Sequence, residues 1–382
     1  MPWTRNPMDV KREFVELALQ PGANRRELCR RFGIGPKAAY ALLNRYASEG
    51  VAAFAERSRR PDHSPAKTPA EVESAVVALR QQHPAWGGRK LARVLRNQGV
   101  AGVPSPSTVT AILHRHGLIE PEASEAAQHW HRFEHEAPND LWQIDFKGYF
   151  EADDGSRCDA LTLLDDHSRF SLAIHACKRP DTQNVREGLI PAFERYGLPK
   201  RINADNGSPW GTPAKIEHGL SMLSVWMIRQ GITVTHSAPY HPQTNGKLER
   251  FHRTLKAEVL RNHHFRDLAA VQAAFDRWRP IYNRIRPHDE LDEECPISRY
   301  RPSPRSYRSQ LAPIEYGPND IVLTVKDNGW IKFQGRQIRV SWALYKLPIA
   351  VRPVPDSVDC FDLYFCHQAF MRLDMNALKR SD

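Results

Sequence analysis

His241-Pro242-Gln243-Thr244-Asn245-Gly246-Lys247-Leu248-Glu249-Arg250-Phe251-His252-Arg253-Thr254-Leu255-Lys256 is the most specific run in this chain of 382 residues. A helix is expected from about Gly246 to Leu260, and on it His252, Arg253 and Lys256 fall three, four and seven positions after Glu249. That spacing gathers them on one helical face. A cation-binding carboxylate there would be flanked by positive side chains able to grip a phosphate backbone. The plainer alternative, a Glu-to-Arg pair at i and i+4 on a solvated helix, accounts for the charges but not for the rest of the run.

Working upstream, Leu141 to Phe150 alternates Trp142, Ile144 and Phe146 against Gln143, Asp145 and Lys147, the period of a strand. Asp145 lies on its polar side, where an unpaired charge is unfavourable unless something cationic stands beside it. Taken alone it also reads as an ordinary exposed strand residue. Asp205 ends a short strand, Arg201 to Ala204, and is followed by Asn206 and Gly207. A carboxylate at a strand tip points into a crevice, although Asp-Asn-Gly is also common turn chemistry.

Further strands are expected at Ala160 to Leu164, Phe170 to Ala176 and Thr233 to Ser237, with helices at Gln183 to Tyr196, Leu220 to Arg229 and Asp267 to Arg284. The order β-β-β-α-β-α-β-α predicts a mixed sheet flanked by helices.

Phosphodiester cleavage without a covalent protein intermediate needs an activated water or hydroxyl and neutralised charge at phosphorus, which two Mg²⁺ ions about 3.5 to 4 Å apart supply. Mg²⁺ takes hard oxygen ligands, so a few Asp or Glu residues suffice without histidine or cysteine. Asp153, Asp154, Asp165 and Asp166 compete with the three acids above. Asp165-Asp166-His167-Ser168-Arg169 reads instead as a hairpin turn with its own hydrogen bonds.

Lys plus Arg number 54 against 44 Asp plus Glu, a formal charge of +10 that favours a polyanionic partner, nucleic acid first, or simply a solvated basic surface. Near the N-terminus, Phe14, Leu17 and Leu19, then Leu28 and Phe32, then Ala39, Leu42 and Leu43 recur at three-to-four spacing. With Gly33 and Gly35 between them they suggest a helix-turn-helix whose second helix, about Pro36 to Tyr46, presents Lys37, Asn44 and Arg45 to DNA. Plain αα-hairpin packing is the alternative.

Arg57, Arg59 and Arg60 lie in a proline-interrupted basic linker that either follows a DNA groove or is merely solvated. A second helical unit follows, with Val72, Ala75, Val76 and Leu79 on one face, Trp86 to Leu95 next, and Ser107 to His116 last, capped by Ser105 or Ser107. Arg89 and Lys90, with Arg93 and Arg96, make its middle helix basic.

Short runs at Ile321 to Lys326, Trp330 to Phe333, Arg336 to Ser341, Ala350 to Pro353 and Cys360 to Phe365 suggest a small all-β barrel. The six cysteines are scattered without C-x-x-C pairs or a partnered H-x-x-x-H, so neither a zinc finger nor a disulfide framework is indicated. There is no signal-like or membrane-spanning apolar stretch, and a cytoplasmic, nucleoid-associated protein is expected.

Trp142-Gln143-Ile144-Asp145-Phe146, Asn203-Ala204-Asp205-Asn206-Gly207 and the 241–256 run together resemble the integrase core of bacterial insertion-sequence transposases, relatives of retroviral integrases. The N-terminal helix-turn-helix with Arg57-Ser58-Arg59-Arg60-Pro61, Trp86-Gly87-Gly88-Arg89-Lys90-Leu91 and Leu223-Ser224-Val225-Trp226-Met227-Ile228-Arg229 extend the resemblance over nearly the whole chain. It implies a multidomain α/β protein with an RNase H-like fold, a catalytic and metal-binding triad at Asp145, Asp205 and Glu249, and Mg²⁺ or Mn²⁺ as cofactor.

The implied organisation is a helix-turn-helix domain at 1–60, a basic linker at 61–68, a second helix-turn-helix domain at 69–120, a linker at 121–140, the catalytic core at 141–300 and the β domain at 301–382. Partners would be double-stranded DNA, as element ends and target, and further copies of the chain in a dimer or larger assembly. One departure is the 44 positions between Asp205 and Glu249, longer than usual, which the Leu220 to Arg229 helix would absorb. The rival readings are a catalytically silent DNA-binding regulator and an RNase H-type nuclease.

Overall fold

The computed structural model describes residues 7–55, 68–119, 134–211, 220–236, 246–261, 263–355 and 357–379. Its contacts separate two units, Met1–Lys67 and Thr68–Asp382.

In the first unit, α1 (Pro7–Ala18), α2 (Arg25–Phe32) and α3 (Pro36–Glu49) enclose Phe14, Val15, Ala18, Cys29, Ala39 and Leu43. Asn24 caps α2 by accepting from the Glu27 N–H. Gly33, at φ 63°, takes the left-handed conformation that ends α2 and turns the chain into α3. The helix-turn-helix is therefore formed, with α3 continuing past Tyr46 to Glu49. Leu19 departs from expectation: α1 stops at Ala18, and Leu19 is 54% exposed.

The second unit opens with α4 (Ala70–Gln82), α5 (Gly88–Asn97) and α6 (Pro106–Arg115), packed around Val76, Trp86, Leu91, Val109 and Ile112. Ser105 caps α6, accepting from the Thr108 N–H. α5 and α6 approach each other at Gly88, where an added Cβ would lie 2.3 Å from Thr110 Oγ1 and 2.6 Å from the Pro106 carbonyl oxygen.

A five-stranded mixed sheet follows, built from β1 (Leu141–Glu151), β2 (Arg157–Asp165), β3 (Ser171–Cys177), β4 (Arg201–Ala204) and β5 (Thr233–His236) in the order β3-β2-β1-β4-β5. β1, β2 and β3 pair antiparallel, and β4 joins β1 in parallel, as β5 joins β4. One face buries Trp142, Ile144, Leu161 and Leu163 beneath α7 (Thr182–Tyr196) and α8 (Met222–Arg229). The other buries Ala160, Leu164 and Ile174 beneath α9 (Gly246–Leu255) and α10 (Leu268–Arg284). Each large apolar side chain taken out of water contributes roughly 1.5–3 kcal/mol, so a slip of one residue in β1 would forfeit several such terms. The single helix expected to run on to Leu260 changes at Lys256 into a π-turn, Lys256–Leu260.

The C-terminal strands correct the barrel expectation. β6 (Ile321–Thr324), β9 (Pro348–Pro353), β10 (Cys360–Phe365) and β11 (Gln368–Asp374) make an open antiparallel sheet in the order β11-β10-β9-β6, and β7 (Trp330–Phe333) pairs with β8 (Arg336–Arg339) as a separate hairpin. No pairing closes a ring among the described residues. The physical reason is that Val351, Leu363 and Phe365 join the same apolar core as Trp142 and Phe193, so the sheet covers its face against a neighbour instead of curling on itself. Gln368 completes the junction, accepting from the Val234 N–H at 2.8 Å and donating to the Val234 carbonyl at 2.9 Å at the free edge of β5.

The α5–α6 contact gives a stability test. Gly88→Ala is expected to cost about 1–3 kcal/mol in denaturant unfolding, because a backbone carbonyl blocks the new methyl. Gly87→Ala, where nothing lies within 4 Å, should unfold close to wild type; equal losses in both variants would refute the close-approach account.

Candidate active site

Strand register places the first two acids. Gln143 pairs with Asn203 across β1 and β4, and continuing that register by two residues sets Asp145 beside Asp205, which follows the last residue of β4. Glu249 comes from α9. Leu248, Phe251 and Leu255 of that helix are buried against the sheet face that also carries Thr162, the β2 partner of Asp145, and Glu249 is left exposed.

Asp145 accepts from the Phe146 N–H at 2.8 Å, and Asp205 accepts from the Gly207 N–H at 3.0 Å. Neither they nor Glu249 pairs with a cation among the described residues. Burial pushes the Asp145 carboxyl up to about 6, with the charges of Asp205 and Glu249 acting in the same direction against the Phe146 hydrogen bond. Asp205 and Glu249 thus each stand near enough for their charges to act on Asp145. Among the described residues, no three His, Cys, Asp or Glu side chains are already close enough together to hold a metal ion.

His252 was expected to face DNA, and the structure places it elsewhere. It is 9% exposed, with Nε2 2.7 Å from Thr162 Oγ1. The Thr162 hydroxyl donates to the Asp145 carbonyl at 3.0 Å, so its proton is spent there and Nε2–H of His252 must be the donor to Thr162. Burial, then Lys147, lower the His252 pKa to about 4, which keeps the ring neutral at pH 7. His252 therefore pins α9 to the sheet directly behind Asp145. The signal was present in the sequence: His252 comes four residues after Leu248 and one after Phe251, on the apolar face.

The remaining cations divide between internal and open roles. Lys247 binds Asp166, which also accepts from Gln143 Nε2 at 2.8 Å, and Arg250 pairs with Glu290. Asp165 accepts from the Asn139 and Ser168 N–H groups and from the Ser168 hydroxyl, so the 165–169 turn has the structural hydrogen bonds expected of it. Asp154 accepts from the Ser156 N–H within the β1–β2 turn, and Asp153 faces His264.

Arg253 and Lys256 are exposed. Lys147, which the sequence reading missed, shares the face of Asp145 two residues on, and burial and then the charge of Lys256 lower its pKa. On α3, Lys37 and Asn44 are exposed as expected, with Tyr40 between them at 50% exposure. Arg45 instead donates to the Ala55 carbonyl at 2.9 Å and approaches Glu49. Arg89 and Lys90 face Asp289, and Arg89 also faces Glu293. Arg57, Arg59 and Arg60 lie outside the described residues.

Two family models described as Integrase core domain match residues 135–242 and 230–296. A Homeodomain-like domain model matches 38–113 and a Helix-turn-helix domain model matches 10–61. The chain is 30% identical over 161 residues to an uncharacterized protein of insertion element IS407 from Burkholderia multivorans, covering 42% of this chain and 54% of that protein. It is 28% identical over 259 residues to an uncharacterized protein of insertion element IS476 from Xanthomonas euvesicatoria, covering 65% and 70%. It is 24% identical over 255 residues to the transposase for insertion sequence element IS904 from Lactococcus lactis, covering 62% and 96%. The chain spans about half the length of the first of these relatives.

The His252 contact predicts a pH dependence. A folded-state pKa below the ordinary 6.5 means that the stability contributed by the neutral ring is present above about 6.5 and lost as pH falls toward about 4. Unfolding midpoints measured across that window should fall for wild type and fall less for His252→Gln, which keeps a donor but does not titrate. Parallel pH profiles would show that His252 is not held neutral.

Proposed function

Because the chain joins helix-turn-helix domains to an integrase core domain and is kin to proteins of bacterial insertion elements, we propose that it is a transposase that binds the ends of a mobile element and cuts and rejoins DNA strands there. The observation that carries this reading is geometric: the β1–β4 register sets Asp145 beside Asp205, and Glu249 comes from the helix packed on the same sheet face. Three hard-oxygen donors without a paired cation suit a divalent metal, which would relieve both the burial of Asp145 and its repulsion. Glu249, exposed on α9, and Asp205, at a strand end, have the freedom to close on it.

When bound, Mg²⁺ or Mn²⁺ would lower the pKa of the attacking water or 3′-hydroxyl and neutralise charge at the phosphate. The chain's own residues do the rest. Asp145 holds its position on β1, Asp205 stands just past the end of the adjacent β4, and Glu249 approaches from the helix that His252 and Lys247 anchor. Lys147, Arg253 and Lys256 are placed to hold the phosphate backbone. In this reading residues 1–60 and 69–120 bind the terminal repeats, with Lys37, Tyr40 and Asn44 as the α3 contacts, and 141–300 perform the chemistry. Two ends must be held at once, so the working form is a dimer or larger assembly acting on element ends and target duplex.

The test is strand joining with pre-cut terminal-repeat DNA in Mg²⁺ or Mn²⁺. Asp145→Asn, Asp205→Asn and Glu249→Gln should each lower joining by at least about 100-fold while end binding stays within a few-fold, and chelation of the metal should abolish joining in wild type. Cut ends without any joined strand would make the protein a nuclease. Binding without metal-dependent cleavage on any terminal repeat would make it a regulator.

A further inference from the structure

Glu258 is a carboxylate outside the candidate site whose partners come from three separate segments. It lies in the π-turn Lys256–Leu260, which directly continues the helix carrying Glu249, and its side chain is only 8% exposed. Oε1 accepts from the Trp86 indole N–H at 3.2 Å and from Arg286 Nε at 2.8 Å, and Oε2 accepts from the Trp278 indole N–H at 2.9 Å. These donors come from separate places. Trp86 stands between α4 and α5, Trp278 on α10 and Arg286 just beyond its end.

Trp86 is itself fully buried, stacked on His83 with ring centroids 3.7 Å apart, and Arg80 donates to its carbonyl at 2.6 Å. Ile281 of α10 packs into the same apolar cluster as Trp86. Outside this buried contact, Arg89, Lys90 and Arg93 of α5 face Asp289, Glu293 and Glu294. Each of those pairs has at least one partner open to solvent, and such pairs individually contribute little. The buried contact differs. A carboxylate removed from water is tolerated only while donors fill its lone pairs, so its three partners are held in place by the same requirement that holds Glu258. π-turns inside helices also concentrate at functional sites.

We propose that Glu258 is a positioning residue: through it, the α4–α6 unit sets the placement of the helix that carries Glu249. The Trp86-Gly87-Gly88-Arg89-Lys90-Leu91 segment is then a docking element that binds the catalytic core, with its cations turned to the 289–294 acids instead of to DNA. Its effect on catalysis rests on the strand-joining function proposed above; the mechanical coupling does not.

Two full-length variants test this. Glu258→Gln replaces one acceptor oxygen by an NH₂ group that must face an N–H donor, and Trp86→Phe keeps the ring while removing its N–H. Hydrogen exchange should rise together in residues 86–96 and 256–260 in both variants. On pre-cut ends, kcat for joining should fall roughly 10- to 100-fold in Glu258→Gln, and less in Trp86→Phe, with KM for ends within a few-fold of wild type. The double variant should lose no more than Glu258→Gln alone.

Wild-type exchange and wild-type kcat in both folded variants would overturn the proposal, as would a loss confined to KM or one that merely follows the folded fraction. If Glu258→Gln does not fold, Trp86→Phe carries the test alone. If wild type joins no ends with any divalent metal, the strand-joining reading fails, and the exchange measurement decides the coupling by itself.

Discussion

Like charges brought together without a counter-charge push apart, and this fold holds three of them near one side of a sheet. Everything around Asp145, Asp205 and Glu249 resists that push. The parallel register of β1 and β4 sets the separation of the two aspartates, and short N–H donors from Phe146 and Gly207 steady them. Glu249 is held from behind, by the apolar side chains of α9 in the core, by the His252–Thr162 contact and by the Lys247–Asp166 pair. A site of three carboxylates, none of them paired with a cation among the described residues, is disposed to take up a metal ion.

The positive surplus of the chain is divided by the same logic. Cations close to the sheet–helix seam are consumed by internal acids: Lys247 by Asp166, Arg250 by Glu290, and Arg286 by Glu258. Lys147, Arg253 and Lys256 near the acids and Lys37 on α3 have no ion-pair partner among the described residues. A net charge of +10 therefore overstates the number of side chains free for phosphate, since one acidic segment, Asp289 to Glu294, engages cations from α5, α9 and the β2–β3 turn.

Much of this was legible in the residues. Alternation in Leu141 to Phe150 located β1 and the polar side on which Asp145 lies, and Gly33 marked the turn between α2 and α3. The DNA-facing set was less legible, because charge along a helix says nothing about acids that arrive from distant segments. Arg89 and Lys90 looked free until residues 289–294 folded against them, and Arg45 until the Ala55 carbonyl came within reach. His252 was misread for a local reason, since counting from Glu249 hid its place between Leu248 and Leu255. The barrel failed at the tertiary level: alternation identifies a sheet with one apolar face, but not whether that face closes on itself or packs on a neighbouring core. Gln368 to Asp374 passed unnoticed as a strand because its pairing with β10 depends on the turn at Cys366, which has φ 51°.

The most direct test of the account is to locate Mn²⁺ in crystals of the protein by its anomalous scattering. The account predicts a peak within bonding distance of Asp145 together with Asp205 or Glu249, and its loss in Asp145→Asn. A peak at Asp153 and Asp154 or at Asp165 and Asp166 with none at Asp145, or an unchanged peak in the variant, would contradict it.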